Sequence, residues 1–203
     1  QQEYLSYEPD IHNLAIIVTK ILLKTLKSVD FLASNTSPSL YNFDLKPRNV
    51  LVAQSQEKHY ETYMIDFASS YMPKNKSEFR RNILRRANRP YIWPAEINLL
   101  NKYHPDYKRA DPREIDSFKR YYKLILKTNR FDEYLEKIMI FLIGALIHKK
   151  ILYNIQKRYP KLTEYIVENM TGYDPRLRPS IKDAINDLLQ ISVEYSLSYD
   201  DYH

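Results

Sequence analysis

The sequence predicts a mainly helical domain carrying one small β-hairpin, and three observations say so. Apolar residues recur at helical spacing from Ile11 to Ala33, at Leu14, Val18, Leu22, Leu26, Val29 and Leu32. From residue 114 onward, prolines and turn residues cut the chain into helix-length stretches. Strand character is confined to two short runs, VLVA (50–53) and YMI (63–65).

The first helix is expected over 11–33, where Ile16, Ile17, Ile21 and Leu23 widen the apolar stripe and bury it on most sides. SNTSPS (34–39) breaks it. The two strands flank the polar turn QSQEKHYE (54–61) and form the hairpin. Residues 72–90 are basic and poor in structure signals. Four helices are then expected over 114–128, 132–152, 161–171 and 180–194. TNR, RYPK and TGYDPRLRP divide them, with Pro160, Pro175 and Pro179 marking boundaries.

The chain has 203 residues, 44% hydrophobic and 28% charged, the balance of a soluble globular domain. Its net charge of +6 favours anionic partners without choosing among them. There is no Cys, which excludes disulfides, thiol catalysis and cysteine metal sites, and fits an intracellular setting, cytoplasmic or nuclear. The longest apolar run, IMIFLIGALI (138–147), is half the roughly 20 residues that a membrane-spanning helix needs, so no membrane insertion is expected. The N-terminus reads as neither signal nor transit peptide. His12, His59, His104, His148 and His203 are scattered, with no metal-ligand spacing.

YNFDLKPRNVLV (41–52) sets Asp44, Lys46 and Asn49 on a loop that feeds the first strand. Asp66, in MIDFASS, stands at the exit of the second. A hairpin returns its two ends to one place, so Asn49 and Asp66 are expected to face each other, with Asp44 and Lys46 close by. A carboxylate and an amide oxygen at a loop mouth suit Mg²⁺, which takes one or two protein oxygens plus substrate phosphates. Asp44 is left to orient or deprotonate a nucleophile, and Lys46 to offset phosphate charge. Phosphoryl transfer asks for these parts. The competing reading is structural: Asp, Asn and Pro favour turns, and Asp66 suits a strand-end cap.

FDLKPRNVLV also resembles the catalytic loop of protein kinases, H-R-D-L-K-P-x-N, and IDFA resembles their D-F-G motif. WPAEI (93–97) resembles A-P-E, YDPRLRPS (173–180) resembles D-P-x-x-R-P-S, and EYL (3–5) resembles a kinase hinge. All five stand in the family's order. On these residues, 1–203 as a whole is similar to a protein-kinase C-lobe: a helical bundle with a small β-hairpin at the catalytic cleft. The resemblance implies Ser/Thr phosphorylation of a protein substrate with ATP and Mg²⁺. It makes Asp44 the catalytic base, Lys46 the contact to the transferred phosphate, and Asn49 and Asp66 the metal ligands. It pairs Glu96 with Arg178 as a structural ion pair. It asks for an aspartate opening the central helix; Asp116 and Asp132 both fit, and Asp116 is preferred because it leaves room for the later helices.

The departures carry their own expectations. Asn42 and Phe43 stand where the family has His and Arg, so control by phosphorylation of the activation segment is not expected. Ala68 replaces the D-F-G glycine and narrows backbone freedom there. Both glycines, Gly144 and Gly172, come late, so no Gly-rich phosphate loop is present, and the chain reads as beginning at the hinge with the N-lobe missing. That lobe is expected in a longer chain or in trans. A lone lobe acting as scaffold or decoy is the alternative. A small-molecule phosphotransferase is a third reading, opposed by Lys46, WPAE and DPRLRPS. The basic run Lys74, Lys76, Arg80, Arg81, Arg85, Arg86 and Arg89 reads as a solvated segment, a dock for an acidic substrate, or a contact to nucleic-acid phosphates. Its few aromatics argue against nucleic acid. Tyr91 and Trp93 are expected to pack beneath the segment.

Overall fold

The computed structural model describes residues 10–36, 39–54, 60–67, 70–71, 75–86, 94–100, 102–103 and 105–197. Among them, helix α1 (Ile11–Asn35) leads to strand β1 (Tyr41–Asn42), a 3-10 turn (Pro47–Asn49), and strands β2 (Val50–Gln54), β3 (Tyr60–Met64) and β4 (Ser70–Tyr71). Helices α2 (Lys76–Arg86), α3 (Ala95–Leu99), α4 (Pro105–Arg109), α5 (Pro112–Thr128) and α6 (Phe131–Gly144) follow. The chain closes with α7 (Lys149–Ile155), α8 (Pro160–Glu164), a π-turn (Tyr165–Met170) and α9 (Ile181–Glu194). The molecule is mainly helical, with β2–β3 as its hairpin.

Asp10 starts α1 by accepting the amide N–H of His12 at 2.9 Å and of Asn13 at 3.3 Å, so two otherwise orphaned donors are satisfied. The apolar stripe is wide enough to pack α1 against α6, α7, α9 and β3 at once. Leu22 and Leu26 are fully buried, and each such side chain contributes about 1.5–3 kcal/mol. The hairpin pairs antiparallel from Val50↔Met64 to Gln54↔Tyr60. A second, two-residue ladder joins β1 to β4 through Tyr41↔Tyr71 and Asn42↔Ser70, which the sequence reading missed.

At the centre lies α6, where Leu135, Ile138, Met139, Ile140 and Ile143 are fully buried. The single helix expected over 132–152 is two helices, α6 and α7, bent by 69°. His148 restarts the chain: its Nδ1 accepts the N–H of Lys150 at 3.2 Å and caps α7. Gly144 is required at the end of α6, since a Cβ there would lie 2.8 Å from Met170 Cβ and Thr171 Cγ2. No single helix among the described residues is long and apolar enough to cross a membrane.

One further expectation is corrected. Part of the basic stretch is not structureless: α2 forms because Phe79 and Ile83, four residues apart, share one face and are both fully buried. The two aspartates that fit the start of the central helix, Asp116 and Asp132, are both exposed. Asp116 is exposed in the second turn of α5, an amphipathic helix that buries only Ile115, Phe118, Tyr122 and Ile125. Asp132 stands in the first turn of α6.

Candidate functional site

The loop between β1 and β2 is closed by its own polar side chains. Asn42 Oδ1 accepts the N–H of Asp44 at 3.0 Å, a local turn typical of Asn. The 3-10 turn follows, with Asn49 N–H donating to the Lys46 carbonyl at 2.8 Å. This brings Asn49 back over Asp44. Asn49 Nδ2 donates to the Asp44 carbonyl and to its Oδ2, both at 2.9 Å. Both partners are acceptors, so the amide can only present its NH₂ to them, and Oδ1 remains as its acceptor.

Lys46 Nζ meets Asp44 Oδ2 at 2.6 Å, with side chains 23% and 15% exposed. The Asp44 carboxylate is thus mostly withdrawn from water and held on one oxygen by two donors, a charge-assisted arrangement. Asp66 is exposed at the end of the hairpin and holds φ at 60°. Two bonds tie its position to the loop. Ile65 N–H donates to the Asn49 carbonyl at 3.0 Å, and Asn42 Nδ2 reaches the Asp66 carbonyl at 3.5 Å. The structure therefore brings Asp44, Lys46, Asn49 and the Asp66 backbone to one mouth.

Asn42 is the residue that the sequence reading undervalued. It is 1% exposed and contacts both halves of the site. Its signal was present: an Asn two residues before a loop aspartate is a ready turn-former. Phe43 beside it is buried in the core. Beneath them, burial pushes the Tyr41 phenol up from its ordinary range, helped by the charges of Asp132 and Glu136. Asp132 and Glu136 belong to α6, which packs on β1, so the start of α6 supports the loop from below.

Glu96 and Arg178 meet in the interior, at 2.6 Å (Nη1–Oε1) and 2.9 Å (Nη2–Oε2). Arg178 donates further to the carbonyls of Gly172 at 2.9 Å, Lys137 at 3.3 Å and Tyr173 at 3.5 Å. All five guanidinium N–H groups are thereby used. Its plane lies 5.0 Å from the Phe141 ring centroid. Burial pushes the Glu96 carboxyl up, and the Arg178 charge pulls the other way. The pair ties α3 to α6 and to the turn before α9. In that turn, hydrogen bonds from Arg176 hold Asp174 below the usual carboxylate range.

Mg²⁺ can be tested against the donors present. Asn49 Oδ1 and the Asp66 carboxylate are hard oxygens, and no group of three or more His, Cys, Asp or Glu stands ready for a metal among the described residues. Such a set does not hold a cation by itself, but fits Mg²⁺ that brings phosphate oxygens and water. His12 donates to or accepts from the Tyr159 hydroxyl at 2.6 Å through Nδ1, a structural contact, and His148 is the α7 cap. EYL (3–5), Ala68, Lys74, Arg89, Tyr91 and Trp93 lie outside the described residues, as do the side chains of Arg85 and Arg86. Comparison with protein-family models, with curated proteins and with solved structures finds no match to this chain.

Proposed function

We propose that this chain is the catalytic lobe of a protein kinase of the Ser/Thr kind, transferring the γ-phosphoryl group of Mg-ATP to a protein hydroxyl. The observation that carries the reading is the Asp44 cluster. One partly withdrawn carboxylate is held by Lys46 at 2.6 Å and Asn49 at 2.9 Å, with the Asp66 backbone tied to the same loop. Asp44 has one oxygen engaged and one left to receive a proton, as a base that aligns an attacking hydroxyl requires. Lys46 lies where it would neutralise the charge of the transferred group. Asn49 and Asp66 would hold Mg²⁺, which when bound neutralises phosphate charge.

In this reading the hydroxyl oxygen forms a bond to the γ-phosphorus. The bond from that phosphorus to the β,γ-bridging oxygen breaks, and its electron pair leaves with ADP. The hydroxyl proton passes to Asp44. Glu96 and Arg178 touch none of the reacting atoms; they fix the segment leading to α3 against α6 and α9. The phosphate-covering part of the site is assigned to another segment or chain, because these 203 residues contain only Gly144 and Gly172.

A second reading, scaffold or decoy, is favoured by one observation. The hairpin and the end of α1 expose Phe31, Leu51, Val52, Tyr63, Ile65 and Phe67, each at least 39% accessible. Such an apolar face suits another protein or lobe. One pair of measurements separates the two. Phosphotransfer to a protein acceptor is compared between the protein and Asp44→Asn, and the 203-residue chain is titrated with Mg-ATP. The kinase reading expects Asp44→Asn to lose at least about a hundredfold in rate. Equal rates would remove the role given to Asp44.

A further inference from the structure

We propose that the exposed face of α2 is the docking surface for an acidic, Asp/Glu-rich segment of the protein substrate. This rests on the kinase reading for the word substrate, though not for the binding itself. The helix is fixed by its apolar side. Phe79 and Ile83 are fully buried, and Phe79 stacks on Phe131 at 4.6 Å between ring centroids. Asn75 accepts the N–H of Glu78 at 2.9 Å at its start. What remains outward is cationic: Lys76, Arg80 and Arg81 are exposed, and among the described residues none of them has an ion pair. Lys76 and Arg80 are four residues apart, a like-charge spacing that disfavours a helix. Among the described residues, Glu78 is the one acid of this helix, which is held by packing, and a bound polyanion would add countercharge to its cationic face.

The chemistry selects among polyanions. Phe79, the aromatic ring of α2, is turned into the core and is not offered for stacking on bases. Phe79 and Ile83 are likewise turned inward, so among the described side chains of α2 none offers an apolar group to a lipid surface. Carboxylates on an extended peptide need neither. The location fits as well. Phe79 stacks on Phe131 at the start of α6, and α6 packs on β1, which ends two positions before Asp44. Both α2 and the Asp44 loop are thus anchored on α6.

The test is a binding measurement without nucleotide, so that it does not depend on catalysis. Fluorescence anisotropy of the 203-residue chain compares an Asp/Glu-rich peptide, a neutral peptide of equal length, a single-stranded oligonucleotide of equal charge, and vesicles containing anionic phospholipid. The acidic peptide should bind most tightly, and weaken as salt rises. Arg80→Ser with Arg81→Ser should weaken it about tenfold, the loss expected for two exposed charge contacts. Arg80→Glu with Arg81→Glu should reverse the preference toward a Lys/Arg-rich peptide, which a merely structural role for these residues would not do. Asp44→Asn should bind the acidic peptide as the unchanged protein does. Equal affinity for the neutral peptide, tighter binding of the oligonucleotide or vesicles, or no reversal in the glutamate variant would overturn the proposal. Loss of phosphotransfer with binding intact would count against the kinase reading alone.

Discussion

Asp66 holds φ at 60°, in the left-handed region, at the mouth of the hairpin. A non-glycine residue pays for that conformation with strain, and such strain gathers at functional positions. Asp66→Gly is expected to leave stability unchanged or raise it by up to about 1 kcal/mol, while abolishing Mg²⁺-dependent phosphotransfer. Urea unfolding and an activity assay on one preparation read both effects. Arg178 is the opposite case. Arg178→Ala strands the Glu96 carboxylate in the interior and removes five hydrogen bonds, so about 3–5 kcal/mol of stability should go. The urea midpoint measures it, and a loss below about 1 kcal/mol would contradict the geometry.

Among the elements, α2 shows why local pattern can mislead. Its eleven residues, KSEFRRNILRR, read as a solvated basic run, and only Phe79 and Ile83 hint at an inner face. Burial of that pair against α5 and α6 turns the run into a helix. Phe79 also meets Tyr122 at 6.1 Å and Tyr134 at 6.0 Å, so one side chain joins three helices. Phe79→Ala should therefore cost about 3–5 kcal/mol and release α2, weakening acidic-peptide binding with the basic residues still in place. Thermal unfolding and the anisotropy assay report the two losses. Asp116 and Asp132, both exposed, stand on different helices. Both begin a D-x-x pattern near a helix, and what distinguishes them is that α6 is buried and α5 is half solvated.

At the scale of the whole molecule, several tyrosines set the alkaline limit of the fold. Burial pushes the phenols of Tyr41, Tyr134 and Tyr165 up, and takes Tyr121 to about 12. In the unfolded chain these groups ionise near pH 10. Between that value and the folded one, the native state holds more protons than the unfolded state, so stability falls as pH rises. Below pH 10 this contribution is fully present. Melting temperature should decline from about pH 10 upward, in step with a delayed phase of phenolate absorbance. A flat melting profile across that range would contradict the burial of these rings.

The sequence by itself determined α1, the hairpin and the Asp44–Lys46–Asn49 cluster. Those features rest on helical period, strand pairing and hydrogen bonds that span at most five residues, so neighbouring positions encode them. Only the tertiary structure decided the rest. Asn42 reaches Asp66 across 24 positions, whereas the Glu96–Arg178 pair, 82 positions apart, is expected only through the resemblance of its two motifs. The structure also makes a helix of part of the basic run and breaks α6 from α7. Each outcome depends on which of several locally equivalent patterns is buried. Burial is a property of packed elements, and no short stretch of sequence carries it.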